Sequence, residues 1–138
     1  MYALTRRAHL VVGIFGIVAF LATGQYMDRY HGHLRGYDDG TRMLFRSAHI
    51  YLLLAAIINT MTGIYIRQAR LSWRRLCQVI GSAALLAGPP LFLIAFCTEP
   101  HLDALDRPWS RAAVYLAFAG VLCHTVAANP FSRSTKWE

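Results

Sequence analysis

The sequence predicts an all-α fold, a four-helix bundle integral to a membrane with both termini on the cytoplasmic side. Three observations predict it. First, apolar runs lie at 10–26, 47–66, 76–97 and 112–128, and none contains an Asp, Glu, Lys or Arg. Each is close to the roughly 20 helical residues needed to cross a hydrocarbon core, and helices satisfy their own backbone hydrogen bonds in lipid. Second, hydrophobic residues make up 56% of the 138 and charged residues only 15%, against roughly 25% charged in an average soluble domain. That leaves too little charge for the polar outer faces of four soluble helices. Third, the net charge of +7 is unevenly distributed. Arg6, Arg7, Arg67, Arg70, Arg74, Arg75, Arg133 and Lys136 flank one side, with Glu138 the only acid there. On the other side Arg29, Arg35, Arg42, Arg46, Arg107 and Arg111 are balanced by Asp28, Asp38, Asp39, Glu99, Asp103 and Asp106. Basic flanks mark the cytoplasmic face, which predicts a multi-pass protein of an inner (plasma) membrane. The positive charge is then a topology signal whose natural neighbours are anionic membrane lipids, and nucleic acid is not an expected partner.

The first run follows Arg6-Arg7 and precedes Ala22-Thr23-Gly24, a passable match to the n-region, h-region and cleavage site of a signal peptide. We read it instead as a retained helix, because it carries a polar pattern of its own: His9, Gly13, Gly16, Phe20 and Thr23 fall on one stripe. Residues 27–46 form the longest connection and the one richest in turn formers. The second run places His49, Ala56, Asn59 and Gly63 on one face, just after Arg42 and Arg46. Trp73, in the second connection, sits at the expected interfacial level. In the third run Pro89-Pro90 follows Gly88, and loss of two backbone donors predicts a kink or a short unwound segment. The fourth run carries Ala113, Ala117, Gly120, His124 and Ala128 on a stripe and meets a stop signal at Asn129-Pro130.

Small residues on a stripe normally mark a helix-packing face, and they also let a flat ligand approach. A histidine on that face points into the bundle, and intramembrane ionisable residues are functional candidates. His9 and His124 are expected at similar depth near the cytoplasmic end. His49 is expected one turn from the outer boundary, with His31, His33, His101, Asp28, Asp38, Asp39 and Glu99 as possible partners and Thr23 at about the same level. Two imidazoles facing each other across a helical bundle suit b-type haem. His9 with His124 is one candidate axial pair, and His49 with His31, His33 or His101 another. Gly13, Gly16 and Gly120 would give room for the ring, and arginines such as Arg42 and Arg46 would pair with propionates, a carboxylate or lipid phosphate. Alternatively, such histidines bond a carbonyl, a water or a headgroup, and the stripes only pack helices.

In span count and histidine placement the chain resembles the small four-helix membrane b-type cytochromes. That resemblance implies electron transfer between quinol or quinone and another acceptor. The chain lacks two well-separated histidines on one helix, a frequent feature of membrane cytochromes.

His31-Gly32-His33 near Asp38-Asp39 offers a looser donor set for a divalent metal. Cys77, Cys97 and Cys123 are far apart, so neither a zinc ribbon nor covalent c-type haem is supported. The absence of a carboxylate inside any run argues against proton-coupled antiport. There is no phosphate-binding Gly loop, nucleophile elbow or HExxH pattern, so hydrolytic enzymes are poor candidates. Three functions follow from these features: a haem b electron-transfer component interacting with quinone, a cofactor-free accessory or assembly subunit of a larger membrane complex or homo-oligomer, and an outer-face metal-handling protein.

Overall fold

The structure is a computed structural model describing residues 2–67, 69, 71–102 and 105–128. Arg70, Asp103, the Asn129-Pro130 stop and the tail charges Arg133, Lys136 and Glu138 lie outside the described residues. Among the described residues there are four α-helices and no strand: α1 (Tyr2–His31), α2 (Asp39–Tyr65), α3 (Ser72–Thr98) and α4 (Pro108–Ala128). All four are long and apolar enough to cross a membrane. Consecutive helices run antiparallel, as cross-helix pairs such as Leu10 with Gly63 and Glu99 with Ser110 require. We call the end holding the start of α1 and the α2–α3 connection the base, and the opposite end the crown.

Helix outgrows the apolar runs at several ends. Residues 27–46 are mostly helical: α1 continues to His31, and α2 begins at Asp39 behind an N-cap in which Asp38 accepts a hydrogen bond from the Thr41 backbone N–H (3.0 Å). This extends the polar helix ends beyond the span edges without placing charge in the apolar middle. Between them Gly32, His33 and Leu34 have positive φ (50°, 58° and 63°). This conformation is uncommon for residues with a side chain, and here it turns Leu34 into a crown core with Phe45, Ala48, Ala95 and Phe96. Pro108 opens α4 at a position where its missing N–H costs nothing.

The helices approach closely because glycines face backbone. A Cβ on Gly13 would stand 2.3 Å from Thr60 Oγ1, and one on Gly16 2.8 Å from the Ala56 Cβ. On the α3–α4 side a Cβ on Gly120 would meet Leu85 at 2.7 Å. Pairing is most extensive between α1 and α2 and between α3 and α4, with α2 and α3 joining the two hairpins. The middle is filled by Ala19, Leu52, Ala55, Phe92 and Ala113.

Of the kink or short unwound segment expected at Pro89-Pro90, the unwinding does not occur, since α3 is helical throughout Ser72–Thr98. A proline at position 89 deprives the Leu85 carbonyl of its helical donor. In the bundle that carbonyl accepts a hydrogen bond from Asn59 Nδ2 of α2 (2.8 Å). The missing donor is thus replaced from a neighbouring helix, and the freed carbonyl becomes a docking point.

Candidate functional site

The Asn59 amide begins a polar node that draws on all four helices at the base. Its nitrogen donates to the carbonyls of Ala55 (2.9 Å) and Leu85 (2.8 Å). Its Oδ1 therefore faces His9 Nδ1 at 2.7 Å. A carbonyl oxygen accepts only, so His9 must be protonated at Nδ1. Nε2 is then an unprotonated lone pair, and it is buried with no hydrogen-bond partner among the described residues. His9 is 0% exposed and Asn59 1%. The fixed tautomer and its open acceptor resemble the arrangement by which proteins orient metal-ligating imidazoles through the other ring nitrogen.

His124 of α4 meets His9 edge to face, ring centroids 6.1 Å apart and planes at 75°. Its Nε2 lies 3.2 Å from Ser82 Oγ of α3. The α1–α2 interface is tied further toward the base where Arg6 Nε donates to the Gly63 carbonyl (2.9 Å), one of the last turn of α2. The structure thus brings together His9 and His124, the two histidines expected at similar depth. Asn59 and Ser82 join them. Asn59 was visible in the sequence as the lone amide of its run, but its role depends on the carbonyl exposed by Pro89 on another helix.

Gly13, Gly16 and Gly120 stand where helices approach each other most closely. Their open faces are filled by Thr60, Ala56 and Leu85, which makes them contacts between helices and not surfaces left open to a flat ring. The physical reason is that a missing side chain draws in the nearest backbone when nothing larger intervenes.

The crown has its own polar groups. His49 is bonded through Nδ1 to Thr23 Oγ1 (2.8 Å), and its ring stacks on Phe20 at 4.0 Å. Thr23 donates its own proton to the Phe20 carbonyl (2.9 Å), so it accepts from His49 Nδ1–H. None of the loop histidines or acids proposed as partners reaches His49, because they belong to helix ends with other engagements. His31 Nδ1 is 2.5 Å from the Tyr37 hydroxyl, and His33 pairs with Asp28 at 2.7 Å. Asp38 caps α2, Asp39 pairs with Arg42, and His101 rests edge-on against Phe45. Arg46 is exposed beside Arg42 near the start of α2. The Thr41 hydroxyl and N–H hold the Asp38 carboxyl below the usual carboxylate range.

Glu99 was expected in a polar loop and instead is 0% exposed. The chain past α3 continues as a short turn, Glu99–His101, which folds the side chain inward. Its carboxylate accepts from the Ser110 backbone N–H (2.7 Å) and hydroxyl (2.6 Å), in the first turn of α4. Arg107 Nε stands 3.9 Å away, while its Nη2 donates to Ser47 Oγ of α2 (2.6 Å). The sequence therefore does supply a buried acid, although outside the apolar runs, and it is committed to a helix terminus.

Among the described residues no three His, Cys, Asp or Glu side chains converge as a metal-binding group. At the crown the donors His31, His33 and Asp38 are divided among Tyr37, Asp28 and Thr41. Compared with known proteins, the chain matches no family model, no curated protein and no solved structure.

Proposed function

We propose that the base node is the axial-ligand pair of a b-type haem, and that this chain is a small electron-transfer component of an inner membrane with both termini cytoplasmic. The observation that carries the reading is His9 Nε2, a fully buried imidazole lone pair with no partner among the described residues, beside a second imidazole from another helix. Two neutral imidazoles, with no acid beside them among the described residues, form a donor set suited to haem iron. Asn59 holds the His9 ring in one tautomer and Ser82 holds His124. Haem b would supply a one-electron iron couple when bound. The distribution of Lys and Arg supports the orientation and makes anionic lipids the neighbours of the base.

A second reading draws on the filled glycine faces. Tight packing at Gly13, Gly16 and Gly120 favours a cofactor-free accessory or assembly subunit in which the node only pins the helices together.

An absorption spectrum of detergent-purified protein from haem-replete cells, before and after dithionite, separates the two. The haem reading expects a Soret band that shifts on reduction and is lost in His9→Ala and His124→Ala, while His49→Ala retains it. A folded, colourless protein that co-purifies with a larger complex would establish the accessory reading in its place.

A further inference from the structure

The helices α2 and α4 scarcely touch each other. Between them lies an apolar cleft of about 360 Å³, within the range of roughly 300–1,000 Å³ common for small-molecule sites. Its floor is Ala55 and, from α3, Phe92, both almost wholly buried, and its rims are the exposed Leu54 and Phe118. On α2 the cleft residues Tyr51, Leu54 and Ile58 follow Ser47 at helical spacing, so the cleft continues toward the crown on the same face. There it meets a shallower depression of about 480 Å³ lined by Asp39, Arg42, Met43, Arg46, Ser47 and Ile50. Arg107 of the α3–α4 connection bridges the two. Its Nη2 donates to Ser47 Oγ (2.6 Å), and its guanidinium carbon stands 5.8 Å from the centre of the Tyr51 ring.

Charge and depth restrict what fits. Arg42 pairs with Asp39, and Arg107 faces Glu99 across 3.9 Å. Arg46 is exposed and has no partner among the described residues, so the depression holds one guanidinium charge more than its carboxylates balance. Arg46 immediately precedes the apolar run 47–66, which puts it at headgroup level. From Arg46 to Ile58 the helix rises about 18 Å, close to the thickness of one leaflet of hydrocarbon, about 15 Å. A ligand with a single negative charge and an alkyl tail one leaflet long matches both dimensions. The exposed Ile50 and Ile57 continue an apolar surface beside the cleft, which suits a second tail.

We infer that an anionic phospholipid is held here, its phosphodiester on Arg46 and one acyl tail in the cleft, where it fills the gap between α2 and α4. The site uses neither His9 nor His124 and does not rest on the haem reading.

The test is native mass spectrometry of the intact chain in detergent, titrated with dioleoyl-phosphatidylglycerol and separately with phosphatidylethanolamine of the same chains. One phosphatidylglycerol should bind saturably, about fivefold more tightly than phosphatidylethanolamine. Arg46→Gln changes an exposed side chain, leaves the core intact and should weaken phosphatidylglycerol about threefold. Ala117→Trp fills the cleft from its α4 wall and should weaken it about tenfold, with the unfolding midpoint of the lipid-free protein unchanged. Arg35→Gln, at an exposed crown arginine outside the depression, should change nothing. Equal binding of the two headgroups, or indifference to Arg46→Gln alone, overturns the inference. So does displacement of the lipid by equimolar oleate or inorganic phosphate, which would identify a fatty acid or a soluble anion as the occupant.

Discussion

The base and the crown both bury polar groups, but they distribute charge and hydrogen bonds in opposite ways. At the crown, Glu99 brings a full negative charge inside and surrounds it with the Ser110 N–H and hydroxyl and the nearby Arg107 guanidinium. The described acids lie in the crown half, where they cap helices or pair with arginine and histidine. At the base the buried groups are neutral, with an amide and a hydroxyl each holding one imidazole, and His9 Nε2 has no hydrogen-bond partner among the described residues. The crown also has unpartnered nitrogens, His31 Nε2 and Arg107 Nε, but on half-buried side chains, whereas His9 is wholly buried. The difference teaches where function should be sought. A carboxylate held by several partners fixes architecture, whereas an oriented lone pair on a wholly buried ring is available for chemistry.

The largest effect should come from breaking the crown. Glu99→Ala would leave the first turn of α4 without its acceptor and Arg107 without its nearest carboxylate. Loss of one partner from a buried charged cluster typically costs about 3–5 kcal/mol. We expect thermal unfolding of the purified protein to shift strongly downward, with α4 the first helix to gain amide exchange. If Glu99→Ala and His9→Ala prove equally destabilising, the contrast between an architectural crown and an available base fails.

An intermediate effect should distinguish packing at the two ends of the α1–α2 interface. A Cβ at Gly13 meets the Thr60 backbone nitrogen at 2.7 Å as well as its hydroxyl, whereas one at Gly24 meets only the His49 ring, at 3.3 Å. Backbone cannot yield as a side chain can, so Gly13→Ala should force α1 away from α2 at a cost of about 1–3 kcal/mol. Gly24→Ala should be close to neutral. Unfolding midpoints of the two variants provide the measurement, and equal shifts would mean that the base is no more tightly packed than the crown.

Much of this arrangement was legible in the sequence, because one-dimensional periodicity encodes helix faces. His9 and His124 fall on stripes of small residues, and that spacing alone points both into the bundle. The outer pairing of Thr23 with His49 was likewise suggested by their common depth. What remained hidden depends on register between helices. Asn59 is readable as an isolated amide, and Pro89 as a residue that frees the Leu85 carbonyl, but only packing of α2 on α3 joins them. Glu99 looked solvated because it follows an apolar run among polar neighbours, and the turn that buries it is a tertiary event. The glycines were legible as close-approach positions, while what approaches them is set by the neighbouring helix.

The smallest expected effect concerns the exposed start of α2 and has a defined pH sign. Thr41 bonds favour the ionised form of Asp38, so its pKa in the folded protein lies below the ordinary carboxylate value found in the unfolded chain. Stability from this cap is fully present above the unfolded-state pKa and is lost as pH falls through the lower folded value. Asp38→Asn retains an acceptor for the Thr41 N–H but cannot titrate. Unfolding midpoints recorded from neutral pH downward should therefore converge for wild type and Asp38→Asn in acid, with wild type slightly ahead at neutral pH. A gap that widens as the solution is acidified would show that the Asp38 charge opposes the fold, and the crown would then lose one of the engagements that set it apart from the base.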